Sequence, residues 1–189
     1  MLLADTVAIF FSILGGVLGH VALWLVCRGL FPKASKMAGE SADRSIVFPL
    51  LVGIPMSVVA VVAIVIVSSI LGGVGHALAV VATCLFLFYA HIGLSGLVGT
   101  VGARLGSADQ PASPYAATIK GGTALAMAWV LPFLGWFGLL PLSIVIGAGA
   151  TTIGIFNRLA AHERKVAPAA PPSQTLPSAA SLAPVSPWR

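Results

Sequence analysis

Two histidines, His20 and His91, are the residues of this sequence best suited to chemistry inside a membrane. Each lies fifteen residues from the start of its hydrophobic stretch, counted from Asp5 and from His76 respectively. The two imidazoles are therefore expected at similar depth on different helices. Facing imidazoles in a helical bundle can ligate a b-type haem or another tetrapyrrole. The spacing makes His20 and His91 candidate cofactor-binding residues.

Small and basic neighbours fit this hypothesis. Gly16 and Gly19 flank the first histidine and Gly93 follows the second, which would leave space for a macrocycle. Arg28 could pair with haem propionates near a membrane surface. Two other interpretations stay open. Histidine in a membrane helix also forms hydrogen bonds between helices, and the pair could instead contact a pigment or quinone held by a partner protein.

Other active-site patterns are not found in the sequence. No Asp, Glu, Lys or Arg lies inside a predicted span, which argues against an ion-coupled transporter. Ser143, Thr151 and Thr152 could line a pore, although such hydroxyls more often bond a backbone carbonyl or a neighbouring helix. With no metal-ligand cluster, nucleophile elbow or phosphate-binding loop, we expect neither a metal site nor an enzyme. His76 and His162 are expected to be solvated.

The helices that must position these histidines follow from composition. The chain is 58% hydrophobic and only 8% charged, whereas soluble domains contain about 25% charged residues. Long apolar runs account for the difference, so the chain is an integral membrane protein surrounded by lipid. The formal charge of +5 comes from scattered residues, and without a contiguous basic patch we expect no nucleic-acid partner.

The hydrophobic runs predict an all-α bundle of about five transmembrane helices, four plus a broken hairpin segment. Residues 121–156 as one helix would extend about 54 Å, against a hydrocarbon core of about 30 Å. Residues 132–141 contain two prolines and two glycines, which predict a turn at residues 135–138. A re-entrant hairpin is the alternative. The predicted spans are residues 5–28, 46–71, 76–104, 119–134 and 139–157.

The basic residues predict orientation, because loops rich in Lys and Arg stay in the cytoplasm. With five spans, an external N-terminus and a cytoplasmic C-terminus, every basic residue falls on the cytoplasmic side. These residues are Arg28, Lys33, Lys36, Arg44, Arg104, Lys120, Arg158, Arg164, Lys165 and Arg189. The compositional pattern is typical of a multi-pass protein of the bacterial cytoplasmic membrane.

Glycines predict how the helices pack. Small residues let helices approach closely in lipid, where there is no hydrophobic force between them. The predicted packing positions, within the chain or against another subunit, are Gly15 and Gly19 in the first span, Gly93, Gly96 and Gly99 in the third, and Gly147 and Gly154 in the last.

Residues 158–189 form a basic and then Ala-, Pro- and Ser-rich cytoplasmic tail. Such a composition cannot bury enough apolar surface to fold alone. It is either a disordered tail or an extended strap on a partner, with Pro171, Pro172 and Trp188 as contact residues.

Three functions are consistent with these features. The first is an accessory or scaffold subunit that packs against larger membrane-protein partners in a bacterial complex of electron transport or photosynthesis. The second is a small cytochrome b-like electron-transfer subunit that uses His20 and His91. The third is a small oligomeric transporter or channel built around the broken segment. The missing catalytic residues, the glycine faces and the proline-rich tail favour the first.

Overall fold

The computed structural model describes residues 2–106 and 113–166, with side chains described for 3–106 and 113–160. All regular structure in these ranges is helical, with six α-helices and one short π-helical segment, π1, between the last two. The α-helices are α1 (Leu2–Leu30), α2 (Pro32–Arg44), α3 (Val47–Ile70), α4 (Gly72–Arg104), α5 (Pro114–Trp129) and α6 (Leu140–Val166), and π1 covers Leu134–Leu139. Pro171, Pro172 and Trp188 lie outside the described residues.

Four helical segments are long and apolar enough to cross a membrane. They are Leu3–Leu30, Val47–Ile70, Gly72–Arg104 and Leu134–Ala160. The expectation of a helical membrane protein is thus confirmed. The additional span predicted at residues 119–134 corresponds to α5, whose 16 residues extend only about 24 Å at about 1.5 Å per residue.

The break in the last hydrophobic stretch lies earlier than the sequence indicated. α5 ends at Trp129, residues 130–133 form the turn, and residues 135–138 belong to π1. Pro132 explains the position, since it has no N–H to continue the helix and disfavours a helical residue before it. Gly135 was predicted to lie in the turn, but it lies in π1. A Cβ there would lie 2.6 Å from the Trp129 carbonyl carbon, so glycine lets π1 fold back onto the end of α5.

The residues between the predicted spans 5–28 and 46–71 include a helix that those spans did not predict, α2. Pro32 occupies its first turn, where a missing N–H costs nothing. Its buried residues are spaced three and four apart on one face, and its charged residues lie on the other. The buried residues are Ser35, Ala38, Gly39 and Ala42. α2 therefore packs into the bundle through small side chains.

α4 is the central helix, since it contacts each of the other five α-helices. Its glycines are the points of closest approach. A Cβ at Gly93 would meet the Gly147 carbonyl of α6, and one at Gly96 would lie 2.6 Å from the Gly39 nitrogen of α2. A Cβ at Gly102 would lie 2.8 Å from the Gly121 nitrogen of α5. These contacts are between backbones, which only glycine permits at such distances.

The remaining predicted packing glycines differ in their surroundings. Gly99 lies against the Arg28 guanidinium, whereas a Cβ added at Gly154 would have ordinary contact space, with the Met37 Cβ 3.5 Å away. A Cβ added at Gly15 or Gly19 of α1 would have nothing within 4 Å. The predicted contact of these two glycines with another helix is therefore not made inside the described chain.

The contacts also define helix directions. Gly121 approaches Val98 while Ala117 approaches Gly102, so α5 runs antiparallel to α4. α6 is antiparallel to α3, because Val145 lies against Gly53 while Gly149 lies against Pro49. The buried apolar core lies between α1, α2, α4, α5 and α6. It comprises Val21, Trp24, Ala42, Leu94, Leu97, Val98, Ala126, Trp129 and Ile146.

Candidate functional site

The structure brings His20 of α1 and His91 of α4 together. Their ring centroids are 5.9 Å apart, and the ring planes differ by 30°. His91 is buried, with 7% of its surface exposed, whereas His20 is partly exposed. The equal depth inferred from the sequence thus corresponds to direct proximity of the two rings.

Two tryptophans complete a cluster of four rings. The Trp24 centroid lies 6.1 Å from that of His20 and 6.3 Å from that of His91. The Trp129 centroid lies 5.2 Å from that of His20 and 5.5 Å from that of Trp24. We call His20, Trp24, His91 and Trp129 the ring cluster. It joins α1, α4 and α5.

Sequence analysis did not identify the two tryptophans as site residues. Trp24 follows His20 by four residues and therefore shares its helix face, a signal that was available in the sequence. Trp129 had no comparable signal, because only the packing of α5 on α1 brings it to the cluster.

The hydrogen bonds of the histidines determine which ring nitrogens are free. Nδ1 of His20 lies 2.8 Å from the Gly16 carbonyl oxygen, and Nδ1 of His91 lies 2.7 Å from the Leu87 carbonyl oxygen. A carbonyl only accepts, so in both rings Nδ1–H is the donor, and a neutral imidazole then keeps a lone pair on Nε2. Both histidines offer an acceptor to a further group.

Three buried nitrogens of the ring cluster have no hydrogen-bond partner within the described residues. They are Nε2 of His91 and Nε1 of Trp24 and Trp129. Buried polar atoms are usually paired, and buried indole N–H groups usually find an acceptor. One acceptor and two donors therefore lie together in an apolar part of the bundle, an arrangement suited to a small polar group.

A haem held by both imidazoles does not fit this arrangement. Its macrocycle would lie between the two rings and extend on every side of the iron. Trp24 lies about as close to each imidazole as they lie to each other, and Trp129 packs edge-on against His20. The indoles occupy the space that the macrocycle would need, so we assign no haem chemistry to His20 and His91.

A metal ion also lacks a complete ligand set. Within residues 2–106 and 113–166, no three side chains of His, Cys, Asp or Glu are grouped as a metal site would require. Two imidazoles alone are fewer than the three protein ligands of a catalytic zinc site.

A groove of about 430 Å³ on the outer surface of the bundle reaches two residues of the ring cluster. His20 and Trp129 belong to both, and Trp136 of π1 lies at the exposed side of the groove, with 67% of its surface exposed. The other lining residues are mostly apolar and come from α1, α5, the turn that follows α5, and α6. They are Ser12, Ile13, Gly16, Val17, Ala126, Val130 and Leu140.

Arg28 has a structural contact rather than the predicted role beside a haem. Its Nη1 donates a hydrogen bond of 2.9 Å to Oγ1 of Thr118 on α5. The side chain also lies over Gly99 and lines a second, charged groove of about 600 Å³ between α2 and α4. Two exposed ion pairs border that groove, Arg104 with Asp43 at 2.6 Å and Lys36 with Glu40 at 4.0 Å. Exposed pairs of this kind contribute little to stability.

The hydroxyls considered for a pore all bond to protein groups. Ser143 donates to the Leu140 carbonyl, and Thr152 donates to the Ala148 carbonyl. Thr151 Oγ1 lies 3.0 Å from the Tyr89 carbonyl oxygen of α4 and 3.0 Å from the Gly147 carbonyl oxygen of its own helix. Its one proton is shared between these acceptors, so the hydroxyl links α6 to α4 as well as bonding within α6.

The chain matches no protein-family model, no curated protein sequence and no solved structure. Its function is therefore inferred from its own residues and geometry.

Proposed function

We propose that this protein is an accessory or scaffold subunit of a larger bacterial membrane complex, and that α1 is the helix that contacts the partner. The observation that carries the proposal is the open glycine face of α1. At Gly15, Gly16 and Gly19 an added Cβ would meet nothing within 4 Å. A second transmembrane helix fits such a face, because small residues allow the close backbone approach that stabilises helix pairs in lipid.

The other glycine faces of the chain support this interpretation. At Gly53, Gly93, Gly96 and Gly149 an added Cβ would clash with the backbone of a neighbouring helix. The protein therefore uses glycine for helix contact throughout its bundle, and α1 carries the same type of surface without a neighbour inside the described chain. Lipid alone gains nothing from glycine at these positions, whereas a helix does.

The proposal includes the five-span topology, with the N-terminus outside and the C-terminus in the cytoplasm. Support comes from helix direction: α5 runs antiparallel to α4, as it would if it returned across the membrane. The basic residues then all lie on one side. A reporter fused after Lys165 tests this topology, since a cytoplasmic signal is expected and an external signal would disprove it.

The partner is tested by purification from the native membrane in mild detergent, followed by mass spectrometry of stoichiometrically bound proteins. A G19L variant should lose the partner, because its side chain fills the open face of α1. An A63L variant is the matched control, since Ala63 is exposed on α3 and the change adds the same side chain elsewhere. A63L should retain the partner.

The outcomes separate the candidate functions. Bound cytochromes or reaction-centre proteins would assign the complex to electron transport or photosynthesis. A clean homo-oligomer in both variants would reject the accessory role and favour a transporter or channel. Equal loss of the partner in G19L and A63L would show that α1 is not the contact helix.

A further inference from the structure

The inner end of the groove presents hydrogen-bonding nitrogens in an otherwise apolar environment. Trp129 lines the groove and its Nε1 has no partner among the described residues, and His20 lines the groove with Nε2 free to accept. Directly behind them lie Trp24, 0% exposed, and His91, 7% exposed, whose ring nitrogens Nε1 and Nε2 are also unpartnered in the described chain. Among these atoms, Nε1 of Trp129 belongs to a residue that lines the groove, and it points to a ligand there because unpaired buried polar groups are costly.

The chemistry of the nitrogens limits the ligand. Indole Nε1–H is a donor only, and the imidazole Nε2 of a ring whose Nδ1 carries the proton is an acceptor only. The complementary ligand has an oxygen that accepts from an indole and a hydroxyl that donates to an imidazole. The surrounding aromatic rings favour a flat ring as the carrier of these oxygens.

The rest of the groove limits the ligand further. Its walls are apolar, with Ile13 and Val17 on one side and Val130 and Leu140 on the other, and it opens on a surface that faces lipid. Its volume, about 430 Å³, lies within the range of small-molecule sites, about 300–1,000 Å³. An apolar tail can leave through the open side into the bilayer.

We propose that the groove and the ring cluster form a binding site for a membrane-soluble quinol. One head-group hydroxyl donates to Nε2 of His20, a head-group oxygen accepts from the indole N–H of Trp129, and the apolar tail follows α1 toward the lipid. The groove shares Gly16 with the open glycine face of α1, so this inference is tested on the chain without a partner protein.

Ordered water is the competing occupant. One or two waters could satisfy the same donors and acceptor. A groove that holds only water would show no saturable affinity for an apolar aromatic molecule. A direct binding experiment therefore distinguishes the two occupants.

The experiment uses the full chain purified alone in lipid nanodiscs, so that no partner protein contributes a site. A photoreactive quinol with a decyl tail and a diazirine group, kept in the reduced form, is the probe, and crosslinked peptides are mapped by mass spectrometry. The expected result is saturable crosslinking in residues 12–20 and 126–140, displaced by unlabelled decylubiquinol.

Three variants test the assignment. G16L places a large side chain in the groove that Gly16 lines, at a position where an added Cβ meets nothing within 4 Å. Circular dichroism of the purified variant checks that the fold is retained. H20Q removes the imidazole. H76Q is the matched control, because His76 makes the same bond to a carbonyl four residues earlier, Gly72, but lies exposed far from the groove. We expect at least tenfold weaker binding in G16L and H20Q and unchanged binding in H76Q.

Two results would overturn the proposal. The first is crosslinking spread over the lipid-facing residues of α3 and not displaced by decylubiquinol, which would indicate simple partition into lipid. The second is unchanged affinity in G16L, which would show that the probe binds outside the groove and that water occupies the cluster.

Discussion

Replacement of Gly96 by alanine should separate α4 from α2. A Cβ at Gly96 would lie 2.6 Å from the Gly39 nitrogen and 3.2 Å from the Ala38 Cβ, whereas ordinary contact begins at 3.4 Å. The nearest obstacle is backbone, so rotation of a side chain cannot relieve the clash. Contact with the Gly39 nitrogen alone requires α2 to shift by about 0.8 Å, and the Ser35 carbonyl oxygen, which lies closer to the added Cβ, requires more.

The energetic consequence follows from that shift. Overpacking a close contact typically costs about 1–3 kcal/mol. The shift also strains the hydrogen bond between Ser35 and Ser95, whose hydroxyl oxygens are 2.6 Å apart one residue from the glycine. Bonds of this kind between membrane helices contribute about 0.6 kcal/mol on average. We expect G96A to lose about 1–3 kcal/mol of unfolding free energy in total.

The measurement is unfolding of the purified chain in mixed micelles with increasing SDS, followed by circular dichroism. G15A is the matched control, because Gly15 lies in a helix with nothing within 4 Å of the added methyl group. Alanine is the better helix former by about 1 kcal/mol, so G15A should be neutral or slightly stabilising. Equal stability of G96A and G15A would refute the inference that backbone contact at Gly96 determines the packing of α2.

Two further substitutions test hydrogen bonds between helices by the same unfolding measurement. S95A removes the 2.6 Å bond between α4 and α2 and should lower the unfolding free energy by about 0.6 kcal/mol. Its control, S69A, removes only a bond within one exposed helix and should be near neutral. A larger loss of unfolding free energy in S69A than in S95A would contradict this prediction. T151V keeps the side-chain shape but removes the 3.0 Å bond to a carbonyl of α4, so it should be about 0.6 kcal/mol less stable than T83V, whose hydroxyl bonds only within α4. No difference between the two valine variants would show that the contact is dispensable.

The helices of this protein could be located from sequence because lipid imposes a simple requirement. Every backbone polar group inside the bilayer must be paired, so a long apolar run becomes a helix regardless of its neighbours. That rule predicted α3 and α4 to within a few residues. It did not predict α2, whose pattern is amphipathic rather than apolar, nor the position of the break between α5 and π1. Helix propensity disfavours both Pro132 and the glycines that follow it, so it did not show which of them ends the helix. In the structure the helix ends before Pro132.

The candidate site was only half visible in the sequence. His20 and His91 stood out because a histidine inside an apolar helix is rare, and residue counts gave their depth. The role of each ring depended on contacts between helices. Trp24 and Trp129 fill the space that a macrocycle would require, and that fact arises only when α5 folds against α1.

The sequence by itself thus determined that the chain is a membrane protein, where most of its helices lie and which polar side chains it contains. These properties depend on local composition and on the cost of unpaired groups in lipid. Tertiary structure alone decided which glycines contact a neighbouring helix and which have no neighbour within the described chain. Gly15 and Gly96 have similar local signals, yet one faces open space and the other faces Gly39. The physical reason is that close packing belongs to a pair of surfaces, and only the fold brings the second surface to the first.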